Sequence, residues 1–374
     1  MLNIAIVIPT YNRLELLKKL IDSIEHQIIP NEVKIFCVIS NSCSTDGTTQ
    51  YLIDKEKNQS PMGLIEFIIQ NPDSIATYVE AKKNLFRAIN LVPNQVEWTW
   101  MVGDDDYLTS NDVILKLTTF LKKTDKPDLA FIHSCQGRRS THTNAAHYGT
   151  LFELCNSIGF HEMLGWISSI IVKTQIYKAA FNSILFEKSQ SAYPHASTLL
   201  GEAANFQGVF LDTAWIDPQE NQQNEETLQN WQKENMLERY FYVVDDLVSL
   251  KERGLLPNNL NSIFFRYLDI TFIERYINYV FTELICNLKL NESTSDHWRR
   301  VEKISFLLGD TIESNDFLIR YKSLTANIDN IINLQKLMEH TRQSLVNIIS
   351  MDVRKYPFTI LPINTISEVA PVSN

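Results

Sequence analysis

The feature that most constrains this chain is an alternation between two hydrophobic periods across its first 135 residues. Apolar runs of four to seven residues stand at Ile4–Ile8, Val33–Ile39, Ile65–Ile69, Trp98–Val102 and Leu129–Ile132. Helix-like segments separate them, at Leu14–His26, Thr48–Lys57, Ala76–Asn90 and Asn111–Lys123. In the first of these, Leu16, Leu17, Leu20, Ile21 and Ile24 recur at spacings of three and four and so share one stripe. Alternating βα units of this length predict an α/β fold, a mainly parallel sheet covered by helices on both faces. Ligands of such sheets gather at the carboxyl ends of the strands, so the loops that follow strands are where chemistry belongs.

From Gly165 to Ile216 the pattern is mixed. Ser168–Val172 and Gly208–Leu211 read as strands, Thr174–Asn182 and His195–Asn205 as helices. After Pro218 a polar stretch opens a region of helical periodicity. We therefore expect a sheet domain over 1–218, an all-helical region over 219–361 and a tail over 362–374. Within the helical region, Ile263–Phe281 is crowded with aromatics, which predicts a packed helix, a homo-oligomer contact or a peripheral membrane face. Arg266, Asp269, Glu274 and Arg275 interrupt this stretch, and a membrane-spanning helix needs about 20 residues with few or no charges. Residues 1–8 are apolar but run straight into Pro9 and a polar turn, the pattern of a buried strand rather than a signal peptide.

Composition excludes some classes. A formal net charge of −10 gives no general basic footprint for nucleic acid. The five cysteines are scattered, with no Cys-x-x-Cys pair, which fits reduced thiols and predicts a cytoplasmic protein, at the inner face of the membrane if it docks there.

Three loops carry candidate chemistry. Pro9-Thr10-Tyr11-Asn12-Arg13 follows the first strand; Pro9 ends the strand, Asn12 is a candidate N-cap for the next helix, and Tyr11 offers an aromatic face for a base. Asn41 to Thr48 is a run of small polar residues ahead of a helix. It reads either as a cradle of free N–H groups for a nucleoside or phosphate, or as a helix start capped by Thr45 or Asp46. Gly103-Asp104-Asp105-Asp106-Tyr107-Leu108 ends the fourth strand. Neighbouring carboxylates repel by about 4 kcal/mol at ~4 Å and an effective dielectric near 20, which a divalent cation relieves. Carboxylate oxygens suit Mg²⁺ or Mn²⁺, completed by water and a diphosphate.

Ile8-Pro9-Thr10-Tyr11-Asn12-Arg13, Ser44-Thr45-Asp46-Gly47-Thr48 and the 103–108 run, in this order and at these intervals, resemble glycosyltransferase family 2, among them bacterial surface-polysaccharide glycosyltransferases. The resemblance covers roughly residues 1–215. It implies a GT-A, Rossmann-like fold, a nucleotide-diphosphate sugar donor (a UDP-sugar in the first instance), Mn²⁺ or Mg²⁺, and a glycan or lipid-linked acceptor. It implies that Pro9 and Tyr11 line the base pocket, that Lys83 beside Lys82 reaches the diphosphate, that Asp104 and Asp106 hold the metal, and that Asp105 meets the donor. Where the family has an Asp that pairs with the base, this chain has Asn41.

The family performs one inverting displacement with a carboxylate base, often in a Glu-Asp pair. That pair is absent here, and Ser191-Ala192-Tyr193-Pro194-His195 stands in its place. His195 is therefore the expected base, with Glu202 and Asp217 as alternatives. The Gly165-Trp166-Ile167-Ser168-Ser169 segment resembles the acceptor-side loop, where Trp166 is placed to stack on a sugar. A G-x-G-x-x-G loop is missing, which argues against a nicotinamide oxidoreductase. The rival reading is a lapsed transferase kept as a binding or assembly subunit.

Overall fold

The computed structural model describes residues 1–219 except 60–62, 72–77, 125, 136–144, 190 and 192, then residues 236–256 and isolated positions from 260 to 307. The elements are β1 (Leu2–Thr10), α1 (Leu14–Glu25), β2 (Val33–Asn41), α2 (Thr48–Lys57), β3 (Ile65–Gln70), α3 (Tyr78–Asn90), β4 (Trp98–Met101), β5 (Asp106–Leu108) and α4 (Val113–Lys123). There follow β6 (Leu129–Ser134), β7 (Ala146–Thr150), α5 (Leu151–Ile158), α6 (Phe160–Leu164), β8 (Ile170–Lys173), α7 (Thr174–Phe181) and α8 (Ile184–Lys188). The series closes with α9 (Pro194–Ala203), β9 (Gln207–Leu211), β10 (Ile216–Pro218), α10 (Met236–Glu252) and the two-residue strands β11 (Arg266–Tyr267) and β12 (Ile270–Thr271).

Eight strands form one sheet in the order β3-β2-β1-β4-β8-β6-β9-β7. The β3-β2-β1-β4 half is parallel throughout, and β6 pairs β9 in parallel, while β8 and β7 run against their neighbours. The pleat sends alternate residues of each strand to opposite faces. Ile4, Ile6, Ile8, Ile35, Cys37 and Ile39 join the core under α1, α2 and α4. Ala5, Val7, Phe36 and Val38 join the other, under α3 and α5 to α9. Both faces being covered explains why these strands read as unbroken apolar runs.

Every expected strand and helix before residue 218 is present, with one shift. Ser168 and Ser169 form a 3₁₀ turn and the strand begins at Ile170. The Trp100 indole donates to Ser168 O at 2.7 Å and the Gly103 N–H to Ser168 Oγ at 2.8 Å, so this serine is claimed before it can join a ladder. Beyond 218, α10 is helical as expected, and its Val243, Val244 and Leu247 join the same core as α9. Most of 219–361, and the tail, lie outside the described residues. Within the aromatic stretch, where a helix is expected, the described positions Arg266–Tyr267 and Ile270–Thr271 pair antiparallel instead. Phe264 is buried between Phe152 and Phe160. Among the described residues no helix is long and apolar enough to cross a membrane.

Candidate active site

The carboxyl ends of β1, β2, β3 and β4 stand side by side, and those of β1, β2 and β4 lead into the three loops named above. The acid turn after β4 is the most constrained. Asp104 is 7% exposed and Asp106 3%, whereas the side chain of Asp105 is half exposed. Thr10 Oγ1 donates to Asp104 Oδ2 at 2.7 Å. Arg13 Nη1 lies 3.1 Å from Asp104 Oδ1 and 2.6 Å from Asp105 Oδ2. The Ser168 hydroxyl and the Trp166 indole hydrogen-bond to Asp106. From below, β10 pairs with β5, setting Pro218 opposite Asp106. Gln219 adds backbone N–H to Asp105 O at 2.9 Å and Nε2 to Asp106 O at 3.1 Å.

Burial dominates the electrostatics. It lifts Asp104 to about 6, against the opposing pull of Arg13, with Asp105 adding repulsion. Burial likewise raises Asp106 well above the usual carboxylate range, reinforced by Asp105 and Asp104 and opposed by Ser168. Burial opposes the charge on Arg13, but Asp104 and Asp105 outweigh it and raise its pKa further. One guanidinium thus pairs with two of the three carboxylates, Asp104 and Asp105, and Asp106 has no cationic partner among the described residues.

The donor set suits a hard divalent ion. A Cβ on Gly103 would stand 2.9 Å from both Asp105 Oδ1 and Asp106 Oδ2, so the glycine leaves open a space on which two carboxylate oxygens converge. No described residue donates a hydrogen bond to Asp105 Oδ1. Among the described residues no cluster of three or more His, Cys, Asp or Glu is arranged as a complete cage. The structure brings Asp105, rather than Asp104, to Asp106's side of this space, because Thr10 and Arg13 occupy both oxygens of Asp104.

The loops after β1 and β2 are locked together. Asn12 is not the N-cap of α1; Arg13 holds that position, and Asn12 sits at φ 51°. From there Asn12 Oδ1 accepts from Thr45 N at 2.7 Å, while its own N–H donates to Ser44 Oγ at 2.8 Å. Asp46 meets two helix starts at once, accepting from Leu14 N at 2.9 Å and from Thr48 N at 3.1 Å. Burial is the largest single influence on Asp46 and pushes it up, but the Thr48 hydroxyl and these N–H groups together outweigh it and hold its pKa below the usual value. Ser44 N is taken by Asn41 Oδ1 at 3.1 Å. The N–H groups of Ser44, Thr45 and Thr48 are therefore taken by side chains of the protein, and the N-cap of α2 is Gly47, at φ 95°, rather than Thr45 or Asp46.

Asn41 is fully buried and saturated. Its oxygen accepts from Ser44 N and Ser44 Oγ, and its nitrogen donates to Thr49 Oγ1 at 2.9 Å and Asn71 Oδ1 at 2.7 Å. Pro9 is half-buried and Tyr11 is 40% exposed beside it. Ser42 Oγ, fully buried, has no hydrogen-bond partner. On α3, Lys82 donates to Glu187 O and Ser189 O, Lys83 is exposed, and Asn84 ties back to Ser40 at the end of β2.

His195 lies at the start of α9, only 5% exposed, with Nε2 2.9 Å from Leu164 O. Burial pushes its pKa down to about 4, against backbone hydrogen bonds at Leu164 and Gly165. A base works best with a pKa near the working pH and an open path to the acceptor; this ring has neither. What it touches is the turn that carries Trp166 and Ser168 to Asp106. Of the alternatives, Glu202 is exposed on α9 and Asp217 stands opposite Tyr107 on β10. Sequence reasoning missed Arg13, Ser168 and Asn71. The first is visible only as the last residue of the Pro-Thr-Tyr-Asn-Arg run.

Residues 5–180 match the family model described as Glycosyl transferase family 2. Abequosyltransferase RfbV of Salmonella typhimurium strain LT2 is 27% identical over 219 residues, covering 53% of this chain and 60% of that relative. The chain thus spans about three fifths of the length of the curated relative it matches. Among solved structures, S. aureus TarS 1–349, crystallised in complex with UDP, has a TM-score of 0.53 at 17% identity, with 92% of each chain covered. That likeness is one of fold.

Proposed function

We propose that this chain, whose residues 5–180 match the glycosyltransferase family 2 model, moves a sugar from a nucleotide-diphosphate donor to a hydroxyl of a glycan or lipid-linked acceptor, in one inverting, metal-assisted displacement. The observation that carries this reading is the acid turn: three consecutive carboxylates, two of them buried, stand at the end of β4, and the one arginine there pairs with only two of them. A bound Mn²⁺ or Mg²⁺ would supply compensation for the negative charge that develops on the departing diphosphate. The relative's name, an abequosyltransferase, supports sugar transfer. The UDP in the TarS complex supports a nucleoside diphosphate as leaving group.

The chain's own residues divide the work. Asp106 and Asp105 would hold the metal, and Ser168 and Trp166 orient the Asp106 carboxylate. Arg13 binds Asp104 and Asp105 and ties the acid turn to the start of α1. Tyr11, exposed beside Pro9, covers the base. His195 acts as a positioning residue, holding the Leu164–Gly165 backbone from which Trp166 and Ser168 extend.

The test is release of nucleoside diphosphate from a panel of nucleotide sugars, with and without acceptor glycans, in Mn²⁺, Mg²⁺ or chelator. Metal-dependent release that Asp106→Asn abolishes supports the reading. Release indifferent to chelator and to Asp106→Asn sinks the metal assignment, and binding of nucleoside diphosphate without any turnover favours a binding or assembly subunit.

A further inference from the structure

Asn41 sets the direction of a hydrogen-bond relay. Its oxygen must face Ser44, because the backbone N–H there can only donate. Its nitrogen therefore faces Asn71 and Thr49, and an NH₂ group has only hydrogens to give. Asn71, directly after β3, must meet it with its own oxygen. The Asn71 NH₂ then points the other way, and no described residue accepts a hydrogen bond from it. The strand register puts this amide on the base side: Thr10 pairs Asn41 and Ser40 pairs Gln70, so Tyr11, Asn41 and Asn71 end three adjacent strands.

We propose that Asn71 reads the donor's base with an outward NH₂, and that this selects a base with an unprotonated ring nitrogen on its Watson–Crick edge, cytosine or adenine, over uracil or guanine. The inference rests on the donor-binding reading above and departs from the UDP-sugar expected by resemblance. Cytosine N3 and adenine N1 accept hydrogen bonds. Uracil N3–H and guanine N1–H donate, and they meet a second donor. Uracil can turn O4 toward the amide, but its N3–H then has no partner, and a recognition site discriminates most strongly when a buried polar group is left unpaired. Asn41 cannot rescue uracil, since both of its oxygen's positions are filled. A carboxylate at 41 would reverse the relay: accepting only, it would draw the Asn71 NH₂ inward and turn the Asn71 oxygen out. One atom at position 41 thus sets the polarity shown to the base from position 71.

The experiment is calorimetric titration of the full chain, in Mn²⁺, with CDP, ADP, UDP and GDP. CDP or ADP should bind about tenfold tighter than UDP and GDP; which of the two leads identifies the base. Asn41→Asp should move the preference to UDP or GDP. Asn71→Asp, which shows a carboxylate outward without touching Asn41, should do the same and guards against misfolding of the first variant. UDP or GDP binding as tightly as CDP and ADP to the unaltered chain overturns the inference. So does an unchanged preference in either variant that keeps its melting temperature. If none of the four binds, the donor-binding reading itself fails, and this inference falls with it.

Discussion

Ser168 donates its hydroxyl hydrogen to Asp106, tying the turn before β8 to the acid turn after β4. The same oxygen accepts from the Gly103 N–H, so one small side chain satisfies two buried groups. Ser168→Ala should weaken apparent Mn²⁺ affinity or turnover by about 10–100-fold, the usual cost of losing a group that orients a metal ligand. It should also lower stability by about 1–3 kcal/mol through the orphaned N–H. A Mn²⁺ titration of activity with an unshifted midpoint and an unchanged rate would show that the hydroxyl does not orient Asp106.

Gly103→Ala tests the space itself. The added methyl lands 2.9 Å from the two convergent oxygens, closer than real Cβ atoms approach their neighbours. Metal-dependent turnover should fall at least tenfold, in line with a displaced first ligand, while circular dichroism stays native. Full activity at unaltered Mn²⁺ demand would place the ion elsewhere.

Asp46 is a stability prediction with a pH signature. Asp46→Ala removes the acceptors of the Leu14 and Thr48 N–H groups at two helix starts, at about 0.5–1.5 kcal/mol for each hydrogen bond. Its folded pKa lies below the ordinary 3.8, so the contribution is complete above that value and fades as pH falls through the lower, folded one. The gap in melting temperature between the two proteins should be constant near neutrality and close below pH 3.8. A gap that persists in strong acid would mean that packing, not the carboxylate, is what the substitution removes.

For His195 the sign is opposite in origin but similar in consequence. Burial lowers it from 6.5 to about 4, so the unfolded chain takes up a proton that the folded chain refuses. Stability should be complete above pH 6.5 and decline between 6.5 and about 4, and His195→Gln should lack that decline. Kinetics separate pinning from base catalysis. A pin predicts a higher acceptor KM, with the acidic limb of the pH–rate profile retained in His195→Gln. Loss of the limb, with kcat down by about 10²–10⁴, would restore the ring to the role of base.

The long strands were legible because burial on both faces leaves unbroken apolar runs, as at Val33–Ile39. The three-residue strands β5 and β10 were not: Asp106-Tyr107-Leu108 is half polar, and Ile216-Asp217-Pro218 ends in a residue that strands avoid. Acidic clustering at 104–106 was visible in the sequence, but the arginine that meets it lies 91 residues earlier, and no local pattern reports such a distance. Likewise Asn41 showed itself as a departure from a family residue. That it is saturated depends on Ser44, Thr49 and Asn71, drawn from three places, and only the folded chain brings them together.

Gln219 gives the molecule a timetable. The Asn41–Asn71 contact can form once Asn71 has been made, but the acid turn awaits a residue 113 positions beyond Asp106. At roughly 5–20 residues per second of synthesis, that is a delay on the order of ten seconds. During that interval Asp105 and Asp106 exist without the strand and the side chain that clamp their carbonyls from below. The acid turn is therefore the youngest part of the sheet unit, finished after nearly every helix around it has been synthesised.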